Sequence, residues 1–339
     1  MKKGDIMAEI SFIDSYKEYY IIYFDVLGYK AFFEKSNSIE KIKDYYEKIT
    51  SGIETIIDAI QEQNKLFIPS SDRFCYRIFS DNICIFIKST NDKYDLLKFM
   101  QIINLSSQIQ RFFMFELGLL IRGSITKGRI IDNNKCIFGE GLIDAVMLES
   151  QAIYPRIYIP NAKVIAPLFN ISIQLAQRCQ CEMDLVIYRL FIEIYNCLLE
   201  ENEQFFYLDY LRDFNIKQFF TDDMKNEMIK FVEQTNNEEA EFLEKTKNQK
   251  TVEYPKDAVI YHFINLIKMV SEYSGYHYNG NDDKTQKIVE KLVWTLKYHN
   301  KTCEKAGLKD FLIKYNANKD VDNKIQDFKL KTKLEDILG

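Results

Sequence analysis

Two aspartates occupy unusual positions in the first hundred residues of this sequence. Asp25 lies in an apolar, strand-forming run, YYIIYFDVLG, and Asp81 lies in the trio Ser-Asp-Asn between two further apolar runs. A buried carboxylate is costly unless a cation meets it. Two carboxylates held close together repel each other, so that one pKa rises unless cations intervene. Divalent metal ions would remove that repulsion, and they would also polarise a triphosphate and activate a hydroxyl for in-line displacement.

The elements around the two aspartates predict that they meet. A strand is expected over 18–26 and a β-hairpin over 75–88, with the Ser-Asp-Asn trio at its turn. A ferredoxin-like sheet places these strands side by side, so that Asp25 and Asp81 converge at one edge. The alternative is that both aspartates only cap turns at strand ends.

The other predicted elements complete an α+β order. Apolar spacing predicts amphipathic helices over 38–64 and 92–116. Residues 119–131 are predicted to be a strand and 136–141 a short strand entering a turn. Residues 141–152 are predicted to be a helix and 155–160 a short edge strand. The order β-α-β-β-α-β, with a further α-β, is typical of a ferredoxin-like antiparallel sheet with helices on one face.

The second half of the chain has a different pattern. Residues 161–339 are expected to be mostly helical, with a strong amphipathic helix over 287–301. FFYLDYLRDF, 205–214, is a candidate strand returning to the first half, and the charged stretch 236–256 is expected to form a loop around a short helix. We therefore expect two units, a catalytic domain over 15–165 and a helical extension over 166–339 packed on it.

Composition limits the class of function. The 339 residues are 47% apolar and 28% charged, with a net charge of −5 and no long basic run, which argues against a dedicated nucleic-acid surface. No apolar run has the length of a membrane span, and the start MKKGDIMAEIS lacks a signal-peptide core, so a soluble, cytoplasmic protein is expected. Seven scattered cysteines without a CxxC pair indicate reduced thiols rather than a zinc site. His262 and His299 are expected to be structural.

Five segments, taken in order, resemble the motifs of the class III nucleotidyl cyclases. They are FDVLGYKAFF, YRIFSDNICIF, IRGSITKG, FGEGLIDAVMLES and RIYI, at 24–33, 76–86, 121–128, 138–150 and 156–159. The resemblance covers about half of the chain. Within the family, the motif sequences DVLG, SDN, RGSITKG and LES followed by YPRI are most similar to those of the pyrimidine cyclases of the Pycsar antiphage system.

The resemblance implies a metal and triphosphate site. Asp25 and Asp81 would hold two divalent ions, Mn²⁺ or Mg²⁺, with the backbone carbonyl of Val26 as a further ligand. Residues 27–31 would wrap the β- and γ-phosphates with backbone N–H groups. The side chains and turn residues implied to contact the nucleotide there are Gly28, Tyr29, Lys30 and, as a clamp on the triphosphate, Arg156.

The same resemblance implies the base-recognition positions and the assembly. The two base positions are Arg77 and Cys136, a pair that matches neither the adenylyl nor the guanylyl cyclases. Cytosine presents two acceptors, N3 and O2, to a guanidinium, so Arg77 favours CTP over UTP, although the sequence leaves the choice open. Cyclases of this class build their sites across a head-to-tail homodimer, with metal and base groups from opposite chains.

One departure from the family lies on the predicted helix 141–152. The transition-state asparagine and arginine of the family correspond here to Ile143 and Met147, neither of which can hydrogen-bond a developing phosphorane charge. The nearby polar candidates that could take their place are Asp144, Arg122 and Lys127, and the sequence does not choose among them.

Three functions remain open from the sequence. The first is a cyclase that converts CTP or UTP to a 3′,5′-cyclic monophosphate and pyrophosphate, a second messenger for antiphage defence. The second is a catalytically silent nucleotide-binding dimerisation module, which the residues at 143 and 147 favour. The third is a helical partner-binding protein whose first half is a scaffold without metal.

Overall fold

A computed structural model describes residues 16–29, 38–63, 72–133, 136–178, 182–196, 198–212, 256–274 and 283–313. The strands in these ranges are β1 (Lys17–Leu27), β2 (Cys75–Phe79), β3 (Asn82–Lys88), β4 (Leu120–Asn133), β5 (Cys136–Phe138), β6 (Ile157–Pro160), β7 (Leu198–Asn202) and β8 (Phe205–Leu208). The α-helices are α1 (Ile39–Gln63), α2 (Lys93–Glu116), α3 (Glu140–Gln151), α4 (Ala166–Gln177), α5 (Glu182–Asn196), α6 (Lys256–Ser274) and α7 (Asp283–Ala306). Residues 236–255 of the stretch 236–256, predicted to be a loop around a short helix, lie outside the described residues.

The sheet has the strand order β2-β3-β1-β4-β6-β8-β7, and β5 pairs with β4 beside it. The pairings β2–β3, β3–β1 and β1–β4 are antiparallel, whereas β6 lies parallel to β4. The order β2-β3-β1-β4 is that of a ferredoxin-like unit, so the predicted α+β fold is confirmed. The division at residue 165 stays a prediction, since the same sheet continues through β7 and β8.

One prediction about the sheet is wrong. The segment 155–160 was expected to be an edge strand, but β6 pairs with β4 on one side and with β8 on the other. Residues 205–208 supply that outer neighbour, as the aromatic run FFYL predicts. Prolines at both ends of the segment suggested an edge, but Pro160 is the last residue of β6, where a missing N–H removes little.

Helices cover both faces of the sheet, which corrects the expectation of a single helical layer. Side chains alternate along β1. Tyr20, Ile22 and Phe24 pack into the large core with α1 and α2, whereas Ile21 and Tyr23 pack into a smaller core with α3. We call the second side the α3 face. Asp25 follows the same alternation and therefore lies on the α3 face.

Two glycines bring α3 into backbone contact with β4. A Cβ atom on Gly128 would lie 2.6 Å from the Cα atom of Gly141, and one on Gly141 would lie 2.6 Å from Ile21 Cδ1. Both separations are shorter than real side chains tolerate. The first turn of α3 therefore rests directly on the strand, at a distance that only glycine permits.

The helices α6 and α7 are joined to the segment that follows β8 by a buried chain of hydrogen bonds. Tyr210 Oη donates to His262 Nε2 over 2.6 Å, and His262 Nδ1 lies 3.0 Å from His299 Nδ1. His299 Nε2 lies 3.0 Å from the carbonyl oxygen of Phe311, which only accepts. Burial lowers the pKa of both rings and keeps them neutral, so His299 carries its proton on Nε2 and accepts at Nδ1 from His262. This agrees with the structural role expected for the two histidines.

This histidine pair predicts acid sensitivity of the fold. Burial lowers the pKa of His262 well below its usual value and that of His299 to about 4. In the unfolded chain a histidine has its ordinary pKa and binds a proton below pH 6.5, whereas the two histidines of the folded protein stay unprotonated there. The stabilisation is therefore complete above pH 6.5 and is lost as the pH falls towards 4, by about 2 kcal/mol for His299 at pH 5.

Urea unfolding at pH 7 and pH 5 measures this effect. We expect His299→Gln to be less stable than wild type at pH 7 but to lose less of its remaining stability at pH 5. An equal loss in both proteins would show that the pair does not carry the acid sensitivity.

None of the helices in the described part of the chain has the length and apolarity to cross a bilayer.

Candidate metal and nucleotide site

The end of β1 meets the tip of the β2–β3 hairpin. The backbone N–H of Val26 donates to the carbonyl oxygen of Asp81 over 2.9 Å, and Asp25 pairs with Asn82 across the strands. Ser80 takes a left-handed conformation, with φ of 61°, which tightens the turn. The local sequence thus brings Asp25 and Asp81 to the same end of the sheet, where both are half-buried.

Arg122 lies between Asp25 and a second acidic residue. Its Nε is 2.9 Å from Asp25 Oδ2 and 2.6 Å from Glu149 Oε1. Glu149 is almost entirely buried, and its Oε1 has no hydrogen-bond partner despite the short ion pair. Burial raises the pKa of Glu149 to about 7, against the opposing effect of Arg122. In the sequence Glu149 stands out only as part of the LES motif, because Glu149 lies on α3 and its partner Arg122 lies on β4.

A cation from the C-terminal half reaches the same place. The pKa of Lys291, on α7, is lowered by burial and by Arg122, while Asp25 and Glu149 act in the opposite direction. Trp294, one turn later on α7, stacks on Tyr154 with 5.7 Å between ring centroids. The sequence predicted this segment only as an amphipathic helix, and nothing in it showed which residue faces the first half.

Aspartate carboxylates are the type of ligand that Mg²⁺ and Mn²⁺ prefer. Asp25 Oδ1 and Asp81 Oδ2 enter none of the hydrogen bonds or ion pairs found among the described residues. No three His, Cys, Asp or Glu side chains of the described residues are arranged to hold an ion. An ion here would depend on these two carboxylates, the Val26 carbonyl and oxygens of a substrate, as Mg²⁺ sites in phosphate-handling proteins commonly do.

The predicted phosphate-wrapping stretch begins with a turn. Gly28 has φ of +85°, in the region that favours glycine, so the chain changes direction immediately after β1. Tyr29 is partly buried, and the centroid of its ring lies 6.1 Å from the centroid of the Tyr45 ring. Lys30, and the rest of the stretch to residue 31, lies outside the described residues.

Arg156, which the resemblance implied to clamp the triphosphate, is buried among aromatic rings instead of being open to a ligand. Its Nη2 lies 2.7 Å from Glu201 Oε1 and also donates to the phenol of Tyr158. Its guanidinium lies over four rings, those of Tyr154, Tyr158, Tyr207 and Trp294. In this arrangement Arg156 is not available to a triphosphate, and the predicted clamp would require the cage to open.

The structure separates the three polar groups considered near the missing transition-state donors. Asp144 Oδ2 pairs with Lys163 over 2.5 Å, and Lys127 Nζ lies 3.4 Å from the buried carboxylate of Asp95. Only Arg122 lies beside Asp25. Of the three candidates, Arg122 is therefore the one placed to meet developing charge.

The outer side of α3 carries an exposed apolar surface. Ile143 and Met147 are each 59% exposed, Val146 is 39% exposed, and Phe138, just before the helix, is 67% exposed. We call these four residues the α3 apolar surface. Exposed apolar residues grouped on and beside one helix are a candidate surface for another molecule.

Arg77, one of the two predicted base positions, has an unforeseen partner. Arg77 Nη2 lies 2.5 Å from Asp132 Oδ1, near the end of β4. Cys136 is exposed on β5, and its backbone N–H donates to Asn133 Oδ1 over 2.8 Å. Asp132 was missed because its link to Arg77 spans 55 residues and depends on the curvature of β4.

Comparisons with known proteins give weak likenesses. No family profile and no curated protein matches the sequence. Among solved structures, a bacterial light-regulated adenylyl cyclase is 13% identical, with a TM-score of 0.32, over 60% of this chain and 96% of that one. A class III adenylyl cyclase-like ATP-binding protein from Pseudomonas aeruginosa is 11% identical, with a TM-score of 0.26, over 43% of this chain and 33% of that one. The fold assignment rests on the strand order and register.

Proposed function

We propose that this protein is a pyrimidine nucleotide cyclase that converts CTP or UTP to the 3′,5′-cyclic monophosphate and pyrophosphate. The observation that carries the proposal is the contact of β1 with the hairpin tip, which places Asp25 and Asp81 together at one end of the sheet. The family motifs in the sequence supply the reaction class, and Arg77 supplies the preference for a pyrimidine. The proposed setting is the cytoplasm, with the product as a messenger in antiphage defence.

The reaction needs little covalent chemistry from the protein. The 3′-hydroxyl loses its proton to solvent water, its oxygen forms a bond to the α-phosphorus, the bond from that phosphorus to the bridging oxygen breaks, and pyrophosphate leaves with the electron pair. Two divalent ions held by Asp25, Asp81 and the Val26 carbonyl would lower the pKa of the 3′-hydroxyl and neutralise the leaving group. Arg122 orients Asp25 and supplies positive charge beside the reacting phosphate.

The α3 apolar surface supports a homodimer. In a two-fold dimer the same patch meets a second copy of itself or a neighbouring patch, which buries apolar area without requiring a different partner. Ile143 and Met147 then have a role as interface residues, which accounts for apolar side chains where the family has polar ones. The proposed sites lie at this interface.

Incubation with each of the four ribonucleoside triphosphates and Mn²⁺, followed by mass spectrometry, tests the proposal. We expect cyclic CMP or cyclic UMP, and pyrophosphate in equal amount. Binding of a triphosphate with no cyclic product from any of the four would favour the silent module, which the apolar residues at 143 and 147 support. Plating of phage on bacteria expressing the wild-type or Asp25→Asn chain tests the defence role, since protection should require the carboxylate.

A further inference from the structure

Arg77 and Asp132 form an ion pair that remains open to a ligand. The 2.5 Å contact joins side chains that keep 33% and 19% of their exposure, respectively. Arg77 faces the same side as its cross-strand partner Cys84, and Asp132 faces the same side as Ile130, two residues earlier. Both therefore lie on the α3 face, the face that carries Asp25.

The pair has a fixed orientation. Arg77 Nη1 donates to the carbonyl oxygen of Tyr76 over 2.8 Å, and the guanidinium lies 5.8 Å from the ring centre of Phe86. Asp132 Oδ1 accepts from Arg77, whereas Oδ2 takes no part in the hydrogen bonds found among the described residues. A ligand therefore meets guanidinium donors beside a carboxylate acceptor.

We propose that Arg77 and Asp132 together read the base and select cytosine, with Asp132 rather than Cys136 as the second recognition residue. This rests on the proposed function and deepens it. Cytosine presents an amino donor at N4 next to acceptors at N3 and O2, which complements a carboxylate next to a guanidinium. Uracil can present N3–H to the carboxylate and O2 to the guanidinium, but this pairing leaves O4 without a donor and makes one contact fewer than cytosine makes.

The same pattern discriminates against adenine. Adenine has an amino donor beside the N1 acceptor, but a C–H group where cytosine has O2, so the second guanidinium N–H has no partner. Unpaired polar groups in a site of this kind weaken binding more than a missing apolar contact does.

Calorimetric titration of the full-length protein with CTP, UTP and ATP, in Ca²⁺ to prevent turnover, tests the proposal. We expect wild type to bind CTP about tenfold or more tightly than UTP or ATP. Asp132→Asn replaces an acceptor with a group that also donates, so the CTP preference over UTP should fall about tenfold. Asp132→Glu keeps the charge and the acceptor and should retain CTP preference. Asp58→Asn removes an exposed carboxylate on α1 and should change nothing.

The outcomes separate this proposal from the cyclase proposal. An unchanged CTP-to-UTP ratio in Asp132→Asn, or a wild-type protein that binds UTP or ATP as tightly as CTP, would overturn it even if cyclic nucleotide is made. A shifted ratio in a protein that makes no cyclic product would support base selection and reject the cyclase. If Asp132→Asn fails to fold, Arg77→Gln replaces it, with loss of CTP preference expected and retention contradicting the proposal.

Discussion

Asp25→Asn and Asp81→Asn should each abolish formation of cyclic nucleotide while the fold is retained. Asparagine keeps the shape of the side chain and one oxygen but removes the charge that a divalent ion requires. The proposed ions contribute several kcal/mol to the transition state, so we expect a loss of at least about a thousandfold, or ~4 kcal/mol. Turnover at saturating Mn²⁺ and CTP is the measurement.

The two variants should differ in stability, which separates a catalytic effect from a structural one. Asp25 pairs with Arg122, so its replacement leaves a guanidinium beside Glu149 alone, whereas Asp81 contacts the neighbouring Asn82 amide. Asp81→Asn is therefore the cleaner test, with Asp58→Asn as the matched loss of charge. Normal turnover by Asp81→Asn, with thermal unfolding unchanged, would reject the metal site.

Met147→Glu should convert a dimer to a monomer and remove activity with it. The side chain is 59% exposed at the centre of the α3 apolar surface, and a carboxylate there would face its own copy or apolar neighbours across the two-fold axis. We expect a change of sedimentation coefficient from dimer to monomer and a loss of turnover of about a hundredfold or more, because interface residues near the centre carry most of the binding energy.

Ile173→Glu is the control for this change. Ile173 is also apolar and 42% exposed, but it lies on α4, outside the α3 apolar surface. It should leave both the sedimentation and the turnover unchanged. A wild-type protein that sediments as a monomer while turning over CTP, or a Met147→Glu protein that stays dimeric, would contradict the interface.

Much of the first half could be predicted from local pattern. The register of β1 against the hairpin follows from alternating apolar residues and from the turn chemistry at Asp81, so the meeting of Asp25 with the hairpin tip was within reach of the sequence. The predicted helix and strand boundaries agree with the structure within a few residues for the same reason.

The rest of the site depends on packing between distant segments. Glu149 reaches Arg122 only because α3 crosses the face opposite α1 and α2, and a helix pattern does not state which face it covers. Lys291 and the cage around Arg156 depend on α7, whose register is fixed by the stacking of Trp294 and Tyr154. Such contacts are set by side-chain fit over more than a hundred residues, and no local spacing encodes them.

The glycine contact between β4 and α3 restricts how this protein can change shape. Because Gly128 and Gly141 already touch backbone to backbone, α3 cannot move closer to the sheet, and sliding would drive neighbouring side chains into the strand. The helix and strand therefore move as one rigid unit. The proposed boundary between copies, and α7 with Lys291, are two places where a transition between resting and active forms could occur without moving α3 against β4.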